Sequence, residues 1–402
     1  MSESAAPTAQ EAPMGAVSDL VTIAEGFALP APVAAVEPLG RGNVNDTYLV
    51  SLRGEDQPRF VLQRLNTRVF RRPELVMGNI SAVVRHVERR LAEEPPQPGR
   101  LPWRVPQVVP ARGGSTPWLV RGEAFWRTLS FIEDSRSHET ITDLEHAREI
   151  GYGLGRFHSL ISDLPASELA DTLEGFHITP GYLAEYRRVL AESTVSPSAE
   201  TEHCLAFVQQ RQDLASVLEQ ARTAGRLQLR PIHGDPKINN LLMASGSVIG
   251  DGEGRGSQTG CGQAIALVDL DTVKPGLVHY DIGDCLRSAC NRLGEETRDW
   301  PEVQFDLELA EALLEGYLGQ ARAFLTPDDF AHIPEAIRLI PFELGLRFLT
   351  DHLAGNVYFK VSHPGHNLER ALVQFQLTRS IEAQLPAIRA IVERLRATEV
   401  AP

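Results

Sequence analysis

Apolar and polar positions alternate through the first third of the chain in the way that is typical of β-strands. These alternating segments are separated by glycine, proline or asparagine clusters, which mark turns. One stretch, residues 74–92, instead places its apolar side chains every three or four positions, as an amphipathic helix does. The pattern predicts a small sheet with one helix, the strands lying in VAAVEPLG, NDTYLV, RFVLQRLN, WRVPQVVPA and the segment 118–132.

Beyond Glu133 the apolar spacing becomes helical. Two short apolar runs interrupt this region on either side of a glycine-rich stretch, and they predict a pair of strands joined by a flexible insert. From residue 281 to the end only helices are predicted. The earlier helices are predicted at 143–162, 182–192 and 201–223, and the strand pair lies in IHGDPKINNLLM and AIALVDLDTV around the insert 244–263.

Composition narrows the function classes. The 402 residues carry a formal net charge of −14, which disfavours binding to nucleic acid or to an anionic membrane surface. No run of about 18 apolar residues predicts a transmembrane helix, and the first residues lack the features of a signal peptide. Residues 1–25 are predicted to be a disordered lead. The four cysteines form no CxxC pair, so reduced thiols in a cytoplasmic protein are expected.

One short segment, PIHGDPKINNLLM, carries an unusual group of polar residues at the start of a predicted buried strand. Transfer of a phosphoryl group from ATP needs a carboxylate that orients the acceptor hydroxyl, and Mg²⁺ held by carboxylate and amide oxygens. Asp235 is the candidate base and Lys237 the candidate cation at the γ-phosphate. Asn240 and Asp269, which ends the run AIALV, are the candidate metal ligands.

A glycine turn between the first two predicted strands offers a second part of such a site. Gly40 and Gly42 would let backbone N–H groups approach phosphate oxygens, and Asn43 and Asn45 add further donors. A GxG pattern alone most often marks only a turn. Its place upstream of a catalytic loop and a strand-ending aspartate is what favours phosphoryl transfer.

HGDPKINN and VDLDTV resemble the catalytic loop and metal-binding segment of the aminoglycoside phosphotransferase and choline kinase family, which shares the protein-kinase fold. The resemblance runs from about residue 30 to 385. It is greatest to bacterial N-acetylhexosamine 1-kinases, through GNVNDTYLV, FVLQRLN, DLDTVKPGLVHYDIGDCLR and LRFLTDHLAGNVYFKV. The fold it implies is α+β and kinase-like, with an N-terminal sheet lobe at 26–133, a helical lobe at 134–395, and ATP between them against a linker near 131–134.

The resemblance also implies roles for individual residues. Asp235 would be the catalytic base, and Asn240 and Asp269 would hold Mg²⁺. Asp271 and Thr272 would face the sugar or a second metal ion. The sugar pocket would be lined by Arg347 and Tyr358, and the sugar would be an N-acetylhexosamine phosphorylated at its anomeric hydroxyl. Which sugar is preferred, and the oligomeric state, do not follow from the sequence.

The chain departs from protein kinases where they carry a strand lysine. It has three lysines, and none precedes Lys237. Gln63 or Arg64 must take that lysine's place toward the nucleotide, and alternation does not decide between them. Structural roles are expected for His233 and Asp281. His233 is expected to brace the catalytic loop, and Asp281 is expected to cap a nearby helix and anchor the loop.

Other functions compete with this interpretation. The acceptor could be another sugar, an aminoglycoside or a choline-like amino alcohol. VDLDTV also fits the nucleophile motif of haloacid-dehalogenase-type phosphatases, but the helical pattern after Asp284 lacks the α/β domain which that fold requires. A non-catalytic, pseudokinase-like binding protein would be expected to lack Asp235, Asn240 or Asp269, and all three are present. For Arg347 the structural alternative is an ion pair with Glu343, four residues earlier on one helix face.

Overall fold

The computed structural model describes residues 14–40, 44–114, 116–193, 197–246 and 262–397. They form two compact units. The first comprises the described residues up to Met77 together with Pro106–Glu133, and the second comprises Gly78–Val105 and the described residues from Asp134 onward. Residues 78–105, which the sequence assigned to the N-terminal lobe, therefore cluster with the helical unit.

The first unit is built on a six-stranded antiparallel sheet. Alternation puts Val50, Leu62 and Trp126 on one face, where they are buried with apolar residues of the first helix. The predicted strand in WRVPQVVPA shortens to two residues, because prolines on both sides lack the N–H that a sheet ladder needs. The strands are β1 (Val33–Pro38), β2 (Asp46–Leu52), β3 (Phe60–Leu65), β4 (Val108–Val109), β5 (Leu119–Arg121) and β6 (Ala124–Ser130).

The described chain begins with helix α1 (Met14–Glu25), so the prediction of a disordered lead is wrong for this part of it. The reason is apolar burial: Ala24 is fully buried in the sheet core, and Leu20, Val21 and Ile23 pack against it. Residues 1–13 of the predicted lead lie outside the described residues. So do residues 247–261, which form most of the predicted glycine-rich insert.

The second unit is mainly helical. Helices α3 (Leu144–Ile161) and α8 (Leu307–Ala321) pack backbone to backbone through glycines. A Cβ on Gly151 would lie 1.9 Å from the Leu313 carbonyl oxygen, and one on Gly316 would lie 2.0 Å from that of Arg148. The helices, with α2 starting in the first unit, are α2 (Pro73–Glu93), α3 (Leu144–Ile161), α4 (Thr179–Glu192), α5 (Ala199–Gln209), α6 (Val217–Thr223), α7 (Val278–Ala289), α8 (Leu307–Ala321), α9 (Pro327–Leu353) and α10 (His366–Ala397).

Three short strand pairings lie among these helices and position the polar motif. The predicted strand pair is confirmed: β9 (Leu241–Ala244) and β10 (Ala264–Leu267) run antiparallel, and β7 (Ser135–Arg136) pairs with β9. A separate pair, β8 with β11, lies on the other side of the motif. The predicted helix 201–223 is split by a 3₁₀ turn at Gln212–Ser216. The strands are β7 (Ser135–Arg136), β8 (Arg230–Ile232), β9 (Leu241–Ala244), β10 (Ala264–Leu267) and β11 (Lys274–Gly276).

Among the described residues, no helix combines the length and apolarity that a membrane crossing needs. The three described cysteines, Cys204, Cys285 and Cys290, are buried as free thiols. Burial raises the pKa of the Cys204 thiol to about 12, which keeps it protonated and unreactive.

Candidate active site

The catalytic-loop motif occupies the connection from β8 to β9, and its Asp235 and Lys237 form an ion pair. Lys237 Nζ lies 2.8 Å from Asp235 Oδ2, and both side chains remain partly exposed. Burial acts to lower the pKa of the Lys237 ammonium, but the Asp235 carboxylate outweighs it and raises that pKa. A permanent positive charge therefore lies beside the carboxylate at neutral pH.

A buried aspartate on α7 holds the start of this loop. Asp281 accepts hydrogen bonds from the backbone N–H groups of His233 (2.7 Å) and Gly234 (2.8 Å), and its Oδ2 is 2.8 Å from His158 Nε2. The expectation that Asp281 anchors the loop is confirmed. The helix-cap part of it is wrong, because α7 begins at Val278 after Leu277 and Asp281 lies inside its first turn.

His233 braces the loop from within, as expected. Its Nε2 is 2.9 Å from the Val268 carbonyl oxygen, and its Nδ1 is 3.3 Å from the Asp235 backbone nitrogen. Because a carbonyl only accepts, Nε2 carries the proton and Nδ1 accepts from the Asp235 N–H. The ring thus fixes the backbone at Asp235 relative to the end of β10.

The two predicted metal ligands are Asn240, at the end of the loop, and Asp269, just after β10. Asn240 donates its side-chain amide to the Asp235 carbonyl at 2.8 Å, which leaves its oxygen as the acceptor of that side chain. The Val268 N–H donates to the Asn240 carbonyl at 2.9 Å. Asp269 is the next residue after Val268, so this hydrogen bond links the backbones next to both candidate ligands. Asp269 is exposed and adopts a left-handed backbone with φ of 65°. An amide and a carboxylate oxygen are a donor set that suits Mg²⁺.

Asp271 and Thr272 occupy different positions from each other. The Thr272 hydroxyl donates to the His233 carbonyl at 2.7 Å and so supports the loop backbone. Asp271 is buried, at 3% exposure, in the 3₁₀ turn Leu270–Thr272. A Cβ on Gly234 would lie 2.7 Å from the Thr272 carbonyl oxygen, so a glycine with φ of 89° is required where these segments touch.

The glycine turn near the start of the chain is described only in part. Gly40 is exposed and has a φ of 70°, which favours glycine. Gly42 and Asn43 lie outside the described residues. Asn45 is buried, and its Oδ1 accepts a hydrogen bond from the Asn66 N–H at 2.9 Å. This side chain therefore ties the start of β2 to the end of β3.

Gln63 and Arg64, the two substitutes for the strand lysine, lie on opposite faces of β3. Arg64 points to solvent, where its Nε is 2.7 Å from Asp46 Oδ2. Gln63 accepts from Arg127 Nε at 2.9 Å and Nη2 at 2.7 Å, and it donates to Thr47. Arg127 is paired with Gln63 across the sheet and is 1% exposed. The sequence motifs did not single out this arginine, because its role depends on strand register.

Arg347 and Tyr358, predicted from the resemblance to line one pocket, lie near each other in the second unit. The Arg347 guanidinium is 5.4 Å from the Phe176 ring centroid, 4.9 Å from Tyr182 and 5.5 Å from Phe359. We call these three rings the Arg347 cage. Burial acts to lower the pKa of Arg347, but Tyr182, Glu343 and Tyr358 outweigh it and raise that pKa.

Tyr358 lies at the rim of the cage and is 66% exposed. Its ring is 4.8 Å from that of Phe359, edge to face. Burial raises the pKa of the Tyr182 phenol to about 12 against the opposing effect of Arg347, so this hydroxyl stays a neutral hydrogen-bonding group. The cage and its rim thus bring together one cation, Arg347, and two phenols, those of Tyr182 and Tyr358.

A buried carboxylate holds the segment that carries Tyr358 and Phe359. Asp351, near the end of α9, accepts from the backbone N–H groups of Val357 (2.9 Å), Tyr358 (2.8 Å) and Phe359 (2.9 Å). Its Oδ2 also accepts from an asparagine on α10. Sequence reasoning missed this residue, and the only signal for it was its place in LRFLTDHLAGNVYFKV.

The alternative partner of Arg347 is engaged elsewhere. Glu343 Oε1 is 2.9 Å from His177 Nδ1, and its Oε2 accepts from the Thr179 hydroxyl at 2.6 Å. His177 Nε2 is 3.0 Å from the Gly234 carbonyl oxygen. A chain of contacts therefore connects the helix that carries Arg347 to the residue before Asp235. Neither His177 nor this connection was predicted from the sequence.

The antiparallel sheet unit and the helical unit, together with the HGD loop, define a protein with a kinase-like fold. The sequence profile of the phosphotransferase enzyme family (APH) matches residues 35–327, which is more than half of the chain. The chain belongs to this family. Membership agrees with the resemblance derived from the catalytic-loop motif, while the narrower similarity to N-acetylhexosamine kinases is not shown by it.

Solved structures with the same fold are distant in sequence. A microcompartment-associated aminopropanol kinase has a TM-score of 0.59 at 16% identity, with coverage of 92% of this chain and 98% of the other. An aminoglycoside phosphotransferase from Alicyclobacillus acidocaldarius has a TM-score of 0.55 at 17% sequence identity, with coverage of 97% of this chain and 98% of the other. Choline kinase from Cryptosporidium parvum has a TM-score of 0.55 at 14% sequence identity, with coverage of 93% of this chain and 97% of the other. These similarities confirm the predicted fold.

Proposed function

We propose that the protein is an ATP-dependent small-molecule kinase that phosphorylates the anomeric hydroxyl of an N-acetylhexosamine. The observation that carries the kinase assignment is the loop itself. Asp235 is partly exposed and lies beside a cation; its backbone N–H donates to His233 and its carbonyl accepts from the Asn240 side chain. A fixed carboxylate of this kind suits a base that must align one hydroxyl.

The chemistry assigned to the loop is alignment and charge stabilisation. Asp235 orients the acceptor hydroxyl and accepts its proton as the oxygen bonds to the γ-phosphorus of ATP and ADP leaves. Lys237 places its ammonium beside the migrating phosphoryl. Asn240 and Asp269 would hold Mg²⁺, which supplies charge neutralisation at the phosphate oxygens. The glycine turn from Gly40 would offer backbone N–H groups to the nucleotide phosphates.

The Arg347 cage supports a neutral, hydroxyl-rich acceptor. A guanidinium donates several hydrogen bonds in one plane, which suits the carbonyl of an acetamido group and ring hydroxyls. The phenols of Tyr182 and Tyr358 can both donate and accept. Asp271 is buried, so we expect it to affect sugar binding indirectly, by holding the turn it occupies. Thr272 would act indirectly too, because its hydroxyl supports the loop backbone at His233.

The same cage argues against a choline-like acceptor. Quaternary ammonium groups are recognised by aromatic rings whose faces attract a cation. In this protein the three rings already surround the guanidinium of Arg347. A second positive charge would be repelled there, so an amino alcohol should be a poor substrate.

The test is to identify the product chemically. The protein is incubated with ATP, Mg²⁺ and N-acetylglucosamine or N-acetylgalactosamine, and the product is examined by ³¹P NMR. We expect a phosphorus resonance coupled to the anomeric proton, and no product when EDTA replaces Mg²⁺. A phosphate at another carbon, or transfer only to choline, ethanolamine or an aminoglycoside, would overturn the hexosamine 1-kinase assignment.

A further inference from the structure

His177 lies two residues before α4 and has an unusual backbone conformation and an unusual environment. Its φ is 63°, in the left-handed region that few residues other than glycine adopt, and the side chain is buried. Its two ring nitrogens reach different elements: Nε2 is 3.0 Å from the Gly234 carbonyl oxygen, and Nδ1 is 2.9 Å from Glu343 Oε1. Strained backbone at a buried polar residue persists where the surroundings hold it in place.

The partners of the ring determine its proton count. The Gly234 carbonyl can only accept, so Nε2 must carry a proton. The Glu343 carboxylate also only accepts when it is ionised, and a neutral Nδ1 would turn its lone pair toward it. The two contacts together therefore favour an imidazolium that donates in both directions.

Electrostatics support this state. Burial acts to lower the pKa of His177, but Glu343 outweighs it and the net pKa is raised. Burial acts to raise the pKa of Glu343, and His177 outweighs that effect, so the carboxyl stays ionised. The ring also stacks on Tyr280 at 5.3 Å. Charged or titratable groups that face it come from the three helices around it: Glu343 and Arg347 on α9, Asp284 and Tyr280 on α7, and Tyr182 on α4.

The two groups that His177 joins are both parts of the proposed site. Gly234 precedes the candidate base, and its backbone N–H is already held by Asp281. Glu343 lies one helical turn before Arg347 on α9, and Thr179 fixes its second oxygen. His177 therefore connects the helix that presents the acceptor-binding arginine to the peptide that presents Asp235.

We propose that His177 is a positioning residue of the phosphotransferase reaction, holding the Asp235 loop in register with the Arg347 helix through simultaneous donation to Gly234 and Glu343. The proposal rests on the kinase function proposed above, but not on the identity of the acceptor. The doubly donating ring is needed, so its deprotonation releases one of the two elements. Alignment of the acceptor hydroxyl with the base then deteriorates.

The experiment compares wild type, Glu343→Gln and His177→Gln, using whichever acceptor the wild type phosphorylates fastest. Wild-type kcat should fall as pH rises through the raised pKa of His177. Removing the Glu343 charge should move that alkaline limb to lower pH, because the carboxylate is what raises the pKa of His177. His177→Gln keeps one amide donor without a charge; its kcat should fall about tenfold or more with KM for ATP unchanged, and the limb should vanish.

A second measurement does not depend on turnover. NMR titration of ring-labelled histidine should show the His177 resonance titrating above its usual range in wild type and lower in Glu343→Gln. His86→Gln is the matched control. His86 lies on α2, outside the loop, and its Nε2 is 2.9 Å from Asp163 Oδ1. It should leave kcat and the pH profile unchanged.

The outcomes separate the two proposals. Transfer to an amino alcohol instead of a sugar would refute the acceptor assignment while the His177 comparison still proceeds with that substrate. Wild-type kcat in His177→Gln, an alkaline limb that is the same in all variants, or an NMR titration unaffected by Glu343→Gln would each overturn the positioning role.

Discussion

The catalytic loop and the Arg347 cage are assembled in different ways. The loop, residues 233–240, is one continuous segment whose functional side chains follow each other at fixed spacing. The cage is assembled from three segments, with Phe176 and Tyr182 before and in α4, Arg347 on α9, and Phe359 after that helix. The proposed reaction chemistry therefore follows from local sequence, whereas the proposed recognition of the acceptor depends on tertiary packing.

The two regions nevertheless share one device. In each, a buried aspartate accepts hydrogen bonds from consecutive backbone N–H groups: Asp281 from His233 and Gly234, and Asp351 from Val357, Tyr358 and Phe359. A carboxylate that accepts several such bonds holds a loop firmly without a regular element. They differ in exposure, because His233 is fully buried while Tyr358 is 66% exposed. Damage to the loop should therefore cost more than damage to the cage rim.

The largest effect is expected from Asp235→Asn. The amide cannot accept the hydroxyl proton, so kcat should fall about 10²–10⁴-fold. ATP affinity, measured by isothermal titration, should stay close to wild type because the metal ligands are untouched. Near-wild-type turnover in this variant would remove Asp235 from the role of base.

Loss of the loop anchor should come next. Asp281→Asn keeps the shape of the side chain but removes the carboxylate that contacts the His233 and Gly234 N–H groups and His158. The free energy of unfolding should therefore fall by about 3–5 kcal/mol. It should also lower kcat, because the peptide before Asp235 loosens. Urea unfolding and steady-state kinetics measure the two effects.

The control for that change is Asp329→Asn. Asp329 is also a buried carboxylate, paired with Arg230 at 3.0 Å and capping the start of α9. It should lose stability with little loss of kcat per folded molecule. Equal effects of both variants on kcat would mean that Asp281 acts only on global stability.

In the cage, Arg347→Ala should reduce kcat/KM for the acceptor about ten- to hundredfold, and Tyr358→Phe about fivefold, with KM for ATP nearly unchanged. The arginine change is larger because it also leaves three rings unpacked. Arg211→Ala is the control: Arg211 lies 3.7 Å from the Phe207 ring centroid and pairs with Glu382 outside this region. If it alters acceptor kinetics as much as Arg347→Ala does, the cage is not the acceptor site.

The smallest effect concerns pH and stability. Because the folded-state pKa of His177 is raised above the usual value of about 6.5, its contribution is fully present below that pH and is lost as pH rises through the folded pKa. As pH rises through the folded-state pKa of His177, wild type should lose more unfolding free energy than His177→Gln does. Parallel pH curves in urea unfolding would show that the ring gains no proton on folding.

Much of the fold followed from periodicity, because the strands of the first unit bury one face and the long helices bury one stripe. What failed had physical causes. α1 was missed because its apolar residues are stabilised by packing against the sheet, and this contact cannot be read from the local sequence. The helix predicted at 201–223 is broken at Gln212–Ser216, where spacing alone gave no break.

The site divides in the same way. Asp235, Lys237 and Asn240 could be proposed from the sequence because phosphoryl transfer needs such side chains within one short loop. Gln63 was named, but its partner Arg127 depends on the pairing of β3 with β6. His177, Glu343 and Asp351 act through contacts between segments far apart in sequence, and such contacts leave no local pattern.

The most direct test of the account is a comparison of kcat/KM for N-acetylglucosamine and for choline, measured on the wild-type protein under identical conditions with saturating ATP and Mg²⁺. The arginine that fills the aromatic cage should repel a cationic acceptor and hydrogen-bond a neutral sugar, so we expect the sugar to be preferred by about 10²-fold or more. Equal or higher kcat/KM for choline would contradict the account, because the cage would then accept the charge that Arg347 is proposed to exclude.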